Sequence, residues 1–412
     1  MPIKQPKIEQ SRALLHRSDK IIVRGCQGHK RSHDMLAMGY PVFTQRASGA
    51  RFWDVDGNEY LDYLMGFGPI LLGYNDPVVN QAVRTQIEEG TIYSTAHPKE
   101  LDVAEMLIDL IPMAEMLGFF IGGSAATSGA VRLARAYTGR ERIIRCGYHG
   151  WHDWAQPGGG GVPEVVGQLT LATPYGDLDT LEDCFRKYDN QIACIVMETI
   201  QGDGPAEGFL QGCVDIAHRY GALCVFDETK VGFRVAYGGG SEYYGIMPDL
   251  ATFGKACCNG YPGSFVVGRK EILSSKRCQS AWLAATFHCD LPSLVALATV
   301  IEEMKRRDGI IYQWKIGNRL IEGVNQACEA GSLGYRLSGL GPMPKPNVTE
   351  EERDRCLAML QGVWHMASIY TLTIRCFFLC PIPRMISRIR LWPFRNRSLT
   401  LHEPISTEIA AE

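Results

Sequence analysis

The chain has no excess of either charge. It carries 42 Lys and Arg against 45 Asp and Glu over 412 residues, a formal net charge of −3. Such a balance leaves no electrostatic footprint for nucleic acid or an anionic bilayer, so neither partner is expected. A long apolar run is also missing. The nearest, residues 369–382, carries Arg375, runs into Pro381 and Pro383 and is shorter than the roughly 20 residues of a spanning helix. The opening Met1-Pro2-Ile3-Lys4-Gln5-Pro6-Lys7 is polar and unlike a secretory signal. The fourteen cysteines are scattered without the spacing of a disulfide framework and read as reduced thiols of a cytoplasmic protein. Internal repeats are absent, and Gly158-Gly159-Gly160-Gly161 reads as a flexible loop near an active-site mouth.

Against these absences one lysine stands out. Lys255 follows the apolar Leu250-Ala251-Thr252-Phe253 and Gly254, and precedes Asn259-Gly260, residues that let a backbone pass close to a flat ligand. A lysine in a cramped, partly apolar pocket loses preference for its charged form and becomes a nucleophile toward an aldehyde. A lone lysine is more often a solvated surface residue, so its neighbours must decide.

Three segments bear on that. Ala222-Leu223-Cys224-Val225-Phe226 is a short apolar run, read as a buried parallel strand, and it ends in Asp227-Glu228. Ligands of open α/β sheets lie off the carboxyl ends of strands, which points Asp227 at a site where it would hold a pyridine nitrogen protonated. The plainer role is capping the next element. Phe119-Phe120-Ile121-Gly122-Gly123-Ser124-Ala125 reads as strand, glycine turn and helix start, so the N–H groups of Gly123, Ser124 and Ala125 would favour a phosphate. Such a turn is also an ordinary helix cap. Gly147-Tyr148-His149-Gly150-Trp151-His152 is an aromatic cluster in which Tyr148 or His149 offers a lid for a flat cofactor. His149 and His152 as metal ligands is the weaker reading, because no further ligand completes a pattern.

Taken in order, these residues resemble the class-III aminotransferases of the pyridoxal-phosphate fold type I family, most closely the branch around glutamate-1-semialdehyde aminomutase. The resemblance runs from about Gly39 to Gly341. It includes Trp53-Asp54-Val55-Asp56-Gly57-Asn58-Glu59-Tyr60, the Gly-Gly-Ser turn, Arg132 to Arg135 with Thr138-Gly139-Arg140, and Gly147 to Gly150. It continues through Asp227-Glu228 with Gly232-Phe233-Arg234, Pro248-Asp249-Leu250, Gly254-Lys255 and Thr286-Phe287. The resemblance implies pyridoxal 5'-phosphate as cofactor and Lys255 as the residue forming the internal aldimine. It further implies Asp227 on the pyridinium nitrogen, Gly123 and Ser124 at the phosphate, Tyr148 over the ring, and Thr286 reaching the phosphate of a neighbouring subunit. That last role implies a homodimer with shared active sites. The activity implied is transamination between small-molecule amines and keto acids. Alternatives are an intramolecular aminomutase, a racemase or decarboxylase, and a non-catalytic paralogue.

The chain departs from the family pattern at Gly122-Gly123-Ser124-Ala125-Ala126, where relatives carry an acid, and at Lys230, a cation near the expected ring region whose charge is expected to face solvent, the alternative being contact with the cofactor's phenolic oxygen. After about Met366 the likeness stops, and the last forty or so residues are expected to be poorly ordered.

The fold expected is α/β, a fold type I transferase with a mostly parallel central sheet in a large domain and a smaller α/β domain left incomplete by the missing closing strands after about Met366. Residues 1–70 would be an N-terminal segment, helical from Lys4 to Ile21 and with a hairpin turning at Asp54 to Gly57. Residues 71–325 would form the large cofactor-binding domain and 326–412 a C-terminal small domain, divergent after about 366. Strands are expected at 116–122, 142–146, 192–198, 222–226, 250–253 and 264–268.

Overall fold

The computed structural model describes residues 7–25 and 43–348. The expectations for the tail after Met366 and for the helix start at Lys4 lie outside these residues. Glu9–Ser18 is helical, shorter than the expected span, and Ser11 donates to Asp56 through both its N–H (2.9 Å) and its hydroxyl (2.6 Å). The hairpin forms as expected within a three-stranded antiparallel sheet of β1 (Thr44–Ser48), β2 (Arg51–Asp54) and β3 (Glu59–Leu61). Its turn closes because Asp54 Oδ1 accepts the N–H groups of Asp56 and Asn58 at 3.0 and 2.8 Å.

The apolar runs become the central sheet. It contains β4 (Met116–Ile121), β5 (Arg142–Cys146), β6 (Thr170–Ala172), β7 (Ile192–Glu198), β8 (Leu223–Asp227), β9 (Leu250–Phe253) and β10 (Gly263–Gly268), in the order β4-β10-β9-β8-β7-β5-β6. Pairing from β6 through β9 is parallel, whereas β10 runs antiparallel to both neighbours. Strand β6, with only three residues, was too short for its pattern to register in the sequence.

Both faces of the sheet are covered, which is why its strands read as continuous apolar runs and not as alternation. Along β8, Leu223 and Val225 pack with Ala126, Ala130 and Ala134 of the helix Gly123–Thr138. Cys224 and Phe226 face the other way, onto Leu210, Cys213 and Val214 of the helix Phe209–Arg219. A separate cluster joins Val79 and Val83 of the helix Pro77–Glu89 to Ala296 and Val300 of the helix Leu291–Arg306. The long helix Gly309–Ala330 leads into an antiparallel pair, β11 (Tyr335–Leu340) and β12 (Met343–Val348). No helix among the described residues is long and apolar enough to cross a membrane.

Candidate active site

Three neighbouring strands end side by side, and each delivers a charged residue. Strand β7 ends in Glu198, its partner in register on β8 is Asp227, and β9 runs through Gly254 into Lys255. Parallel pairing makes this possible, since it sets the carboxyl ends of all three strands on one edge.

Lys255 opens a short 3-10 turn, Lys255–Cys258, at φ +49. A side chain other than glycine costs roughly 1–2 kcal/mol in this left-handed region, so the surrounding structure must impose it. Burial pushes the Lys255 amine below the ordinary lysine value. Asp227 and Glu198 pull it back up, while Lys230 and Arg234 push it further down. The turn is tied down by Asn259, which accepts the N–H groups of Leu71 and Leu72 at 2.8 Å each and donates to the Gly73 carbonyl at 3.1 Å. Asn259 therefore ties this turn to the segment 71–73. Residues Met65 to Gly68 form a left-handed turn with four successive positive φ angles, starting where Asp62 accepts the Leu64 and Met65 N–H groups. A Cβ placed on Gly68 would sit 3.8 Å from Lys255 Cδ, so this turn lies against the lysine stem.

Asp227 is buried. Burial works against its charge, but the His149 ring (2.8 Å) and Thr229, whose N–H donates at 3.1 Å, outweigh it, and the carboxyl lies below its ordinary value; the Thr252 hydroxyl also donates to it at 3.1 Å. His149, 2 % exposed, is the group that holds Asp227, and its ring stacks on Trp154 at 6.2 Å. Of the two aromatic candidates, Tyr148 is the one near the surface, at 46 % exposure, with burial and then Asp227 raising its hydroxyl.

The glycine turn is placed as a helix start. Gly122 precedes the helix Gly123–Thr138 at φ +80 with no side-chain cap. The Ala125 N–H already donates to the Gly122 carbonyl at 3.0 Å, which leaves Gly123 and Ser124 as the first-turn donors. Ser124 Oγ accepts the Trp151 N–H at 3.3 Å. The site has features a bound anion would satisfy. The Thr229 hydroxyl is buried without a well-formed hydrogen bond, although the side chain lies close enough to Asp227 to lower that carboxyl, and a Cβ added to Gly123 would meet the Thr229 methyl at 2.6 Å and its hydroxyl at 3.4 Å. A buried donor beside uncapped helix N–H groups fits a phosphate, and a charged, buried Asp227 fits a protonated ring nitrogen.

Thr286 is not brought to Lys255. It is exposed on the connection before Leu291 and lines a separate cavity of about 400 Å3 with Tyr93, His97, Phe120 and His288. Lys230 differs from expectation, since its ammonium is paired with Glu198 Oε1 at 2.7 Å and does not face solvent alone. Glu198 escaped the sequence reading although its signal is that of Asp227, an apolar run closing on a carboxylate.

A doubly covered, mostly parallel sheet whose strand ends carry a depressed lysine and a charged buried aspartate is the architecture of a pyridoxal-phosphate transferase. The comparisons agree: the family profile described as Aminotransferase class-III matches residues 33–156 and 162–374. The chain belongs to the class-III aminotransferase family, whose typical cofactor is pyridoxal phosphate. It is similar to a glutamate-1-semialdehyde 2,1-aminomutase of Persephonella marina, 37% identical over 84% of this chain and 85% of that protein. It is also similar to a 3-aminobutyryl-CoA aminotransferase of Cloacimonas acidaminovorans, 32% identical over 84% and 85%. Among solved structures, the internal-aldimine form of the FumI protein of Sphingopyxis sp. MTA144 superposes with a TM-score of 0.81 at 26% identity, covering 87% of this chain and 89% of that one. An omega-transaminase from Sphaerobacter thermophilus gives 0.74 at 26% identity, covering 82% of each. The enzyme class is thus a pyridoxal-phosphate-dependent class-III aminotransferase or aminomutase.

Proposed function

We propose that the chain moves an amino group between an amine or amino acid and a keto acid or aldehyde, with Lys255 as the nucleophile and proton carrier. The observation that carries this is the placement of a lysine of depressed basicity on the strand end next to a buried, charged aspartate. When bound, the cofactor supplies an aldehyde for amines and a ring that accepts electrons from the substrate carbon. With the cofactor bound, Lys255 would carry a proton away from the substrate carbon and give it back on the other side of the transferred amine, which requires an amine that is neutral near working pH. Asp227, kept charged by His149, would hold the ring nitrogen of the bound cofactor protonated. Gly123, Ser124 and the Thr229 hydroxyl would bind the phosphate, the Ala125 N–H being already engaged by the Gly122 carbonyl, and Tyr148 would cover the ring.

Thr286 lies away from its own chain's lysine, which supports a homodimer in which it reaches the partner subunit's site. The division at about residues 70 and 325, and a cytoplasmic location, belong to the same reading.

A second reading is an intramolecular aminomutase, favoured by the 37% identity to the Persephonella marina protein. The two separate in one assay on the purified, cofactor-loaded protein. Amines are screened by loss of the band that the Lys255-linked cofactor absorbs, and those that respond are followed with and without a keto acid. Transamination requires the second substrate; aminomutation turns over without it. No response to any amine class sinks both.

A further inference from the structure

Lys255 shares its surroundings with two other cations, Lys230 and Arg234, and with two acids that are already engaged, Glu198 and Asp227. Glu198 leaves the end of β7 beside Asp227, and its carboxylate packs against Gly147, where a Cβ would fall 2.7 Å from Oε2. That carboxylate is held by Lys230 at 2.7 Å. Arg234, one turn later, donates from Nε to the Lys230 carbonyl at 3.1 Å and from Nη2 to the Gly68 carbonyl, and Gly68 in turn lies against Lys255. Asp227, the other acid nearby, is occupied by His149, Thr229 and Thr252. Among the described residues no carboxylate is ion-paired with Lys255.

The charges facing Lys255 are therefore Asp227 and Glu198 on the acidic side and Lys230 and Arg234 on the basic side. An unpinned Glu198 would be drawn to the nearest unpaired ammonium, because a desolvated carboxylate without a partner is costly. Pairing with Lys255 would hold that amine protonated and block its attack on an aldehyde.

We propose that Lys230 is a positioning residue which sequesters Glu198, so that no acid pairs with the Lys255 amine and the lysine is free to give up its proton. Its action is electrostatic and indirect, through the carboxylate of Glu198. The proposal rests on the reading of Lys255 as the nucleophile, and its test reads the proton on Lys255 and not turnover.

The measurement is trace acetylation of the full-length, cofactor-free protein by acetic anhydride across pH, with the Lys255 peptide quantified by mass spectrometry to give the pH midpoint of its reactivity. Lys230→Met should raise that midpoint by about one unit or more, the scale of a newly available opposite charge. Lys230→Arg should restore it, and Lys230→Met combined with Glu198→Gln should return it to near the parent value. Glu198→Gln alone, which leaves Lys230 unneutralised, should lower the midpoint and serves if the Met variant does not fold. An unchanged midpoint in Lys230→Met, or a double variant as high as the single one, overturns the proposal. Retained turnover in Lys255→Ala would overturn the nucleophile reading while leaving the labelling result interpretable by itself.

Discussion

Asp227 and Glu228 are consecutive, yet their carboxylates serve opposite sides of the sheet. Asp227 meets the His149 ring at 2.8 Å, whereas Glu228 accepts from the Thr199 hydroxyl (2.9 Å) and the N–H groups of Gly240 (2.9 Å) and Ser241 (2.8 Å). The pleat sends successive side chains to opposite faces, so one acid falls in the site and the other becomes a clamp on the segment 239–244. Two acids adjacent in sequence thereby acquire unrelated roles.

Lys255→Ala is expected to abolish turnover while cofactor affinity weakens but persists through the phosphate contacts. Borohydride reduction of the loaded parent protein, followed by peptide mapping, should mark Lys255. Labelling of a different lysine would refute the assignment.

Asp227→Ala should cost roughly 3 kcal/mol or more in kcat/KM, about two decades in rate, the scale of removing one partner from a buried charge pair. His149→Gln should cost less, because Thr229 and Thr252 still donate to the carboxylate. Steady-state kinetics on both variants checks the order, and an Asp227→Ala enzyme with near-parent kcat/KM rules the role out.

Glu228 governs stability. Burial pushes its carboxyl up to about 7 from an ordinary 4.5, with the bonds from Gly240, Ser241 and Thr199 opposing the shift. The folded state thus holds this proton where the unfolded chain has already released it. The stability it contributes is full below about 4.5 and is lost as pH rises through about 7, on the order of 3 kcal/mol in all. Glu228→Gln cannot ionise, so its urea midpoint should improve relative to the parent between pH 5 and pH 8. Parallel pH profiles for the two proteins would remove Glu228 as the cause.

Thr286→Val should weaken cofactor binding in the assembled protein, and dilution to monomer should do so for the parent. Sedimentation with simultaneous detection of cofactor absorbance measures both. A monomer that keeps full occupancy contradicts the shared site.

The sheet was legible in the sequence because its strands are buried on both faces. A run such as Ile192 to Met197 has no solvent side and stays apolar throughout. Lys255, Asp227 and the Gly123 helix start were legible for a related reason, since each sits at the end of such a run, where composition changes abruptly. What the sequence could not decide is which side chains meet across strands. The apolar run Ile192 to Met197 marks Glu198 as a strand end, but nothing local says that Lys230, 32 positions on, will close on it at 2.7 Å. That the His149 ring is buried against Asp227, and that Thr286 lines a cavity whose walls do not include Lys255, are likewise decided by how distant segments are brought together. Spacing along the chain carries periodicity and breaks in composition. Contacts between residues far apart arise only when the strands are set in register.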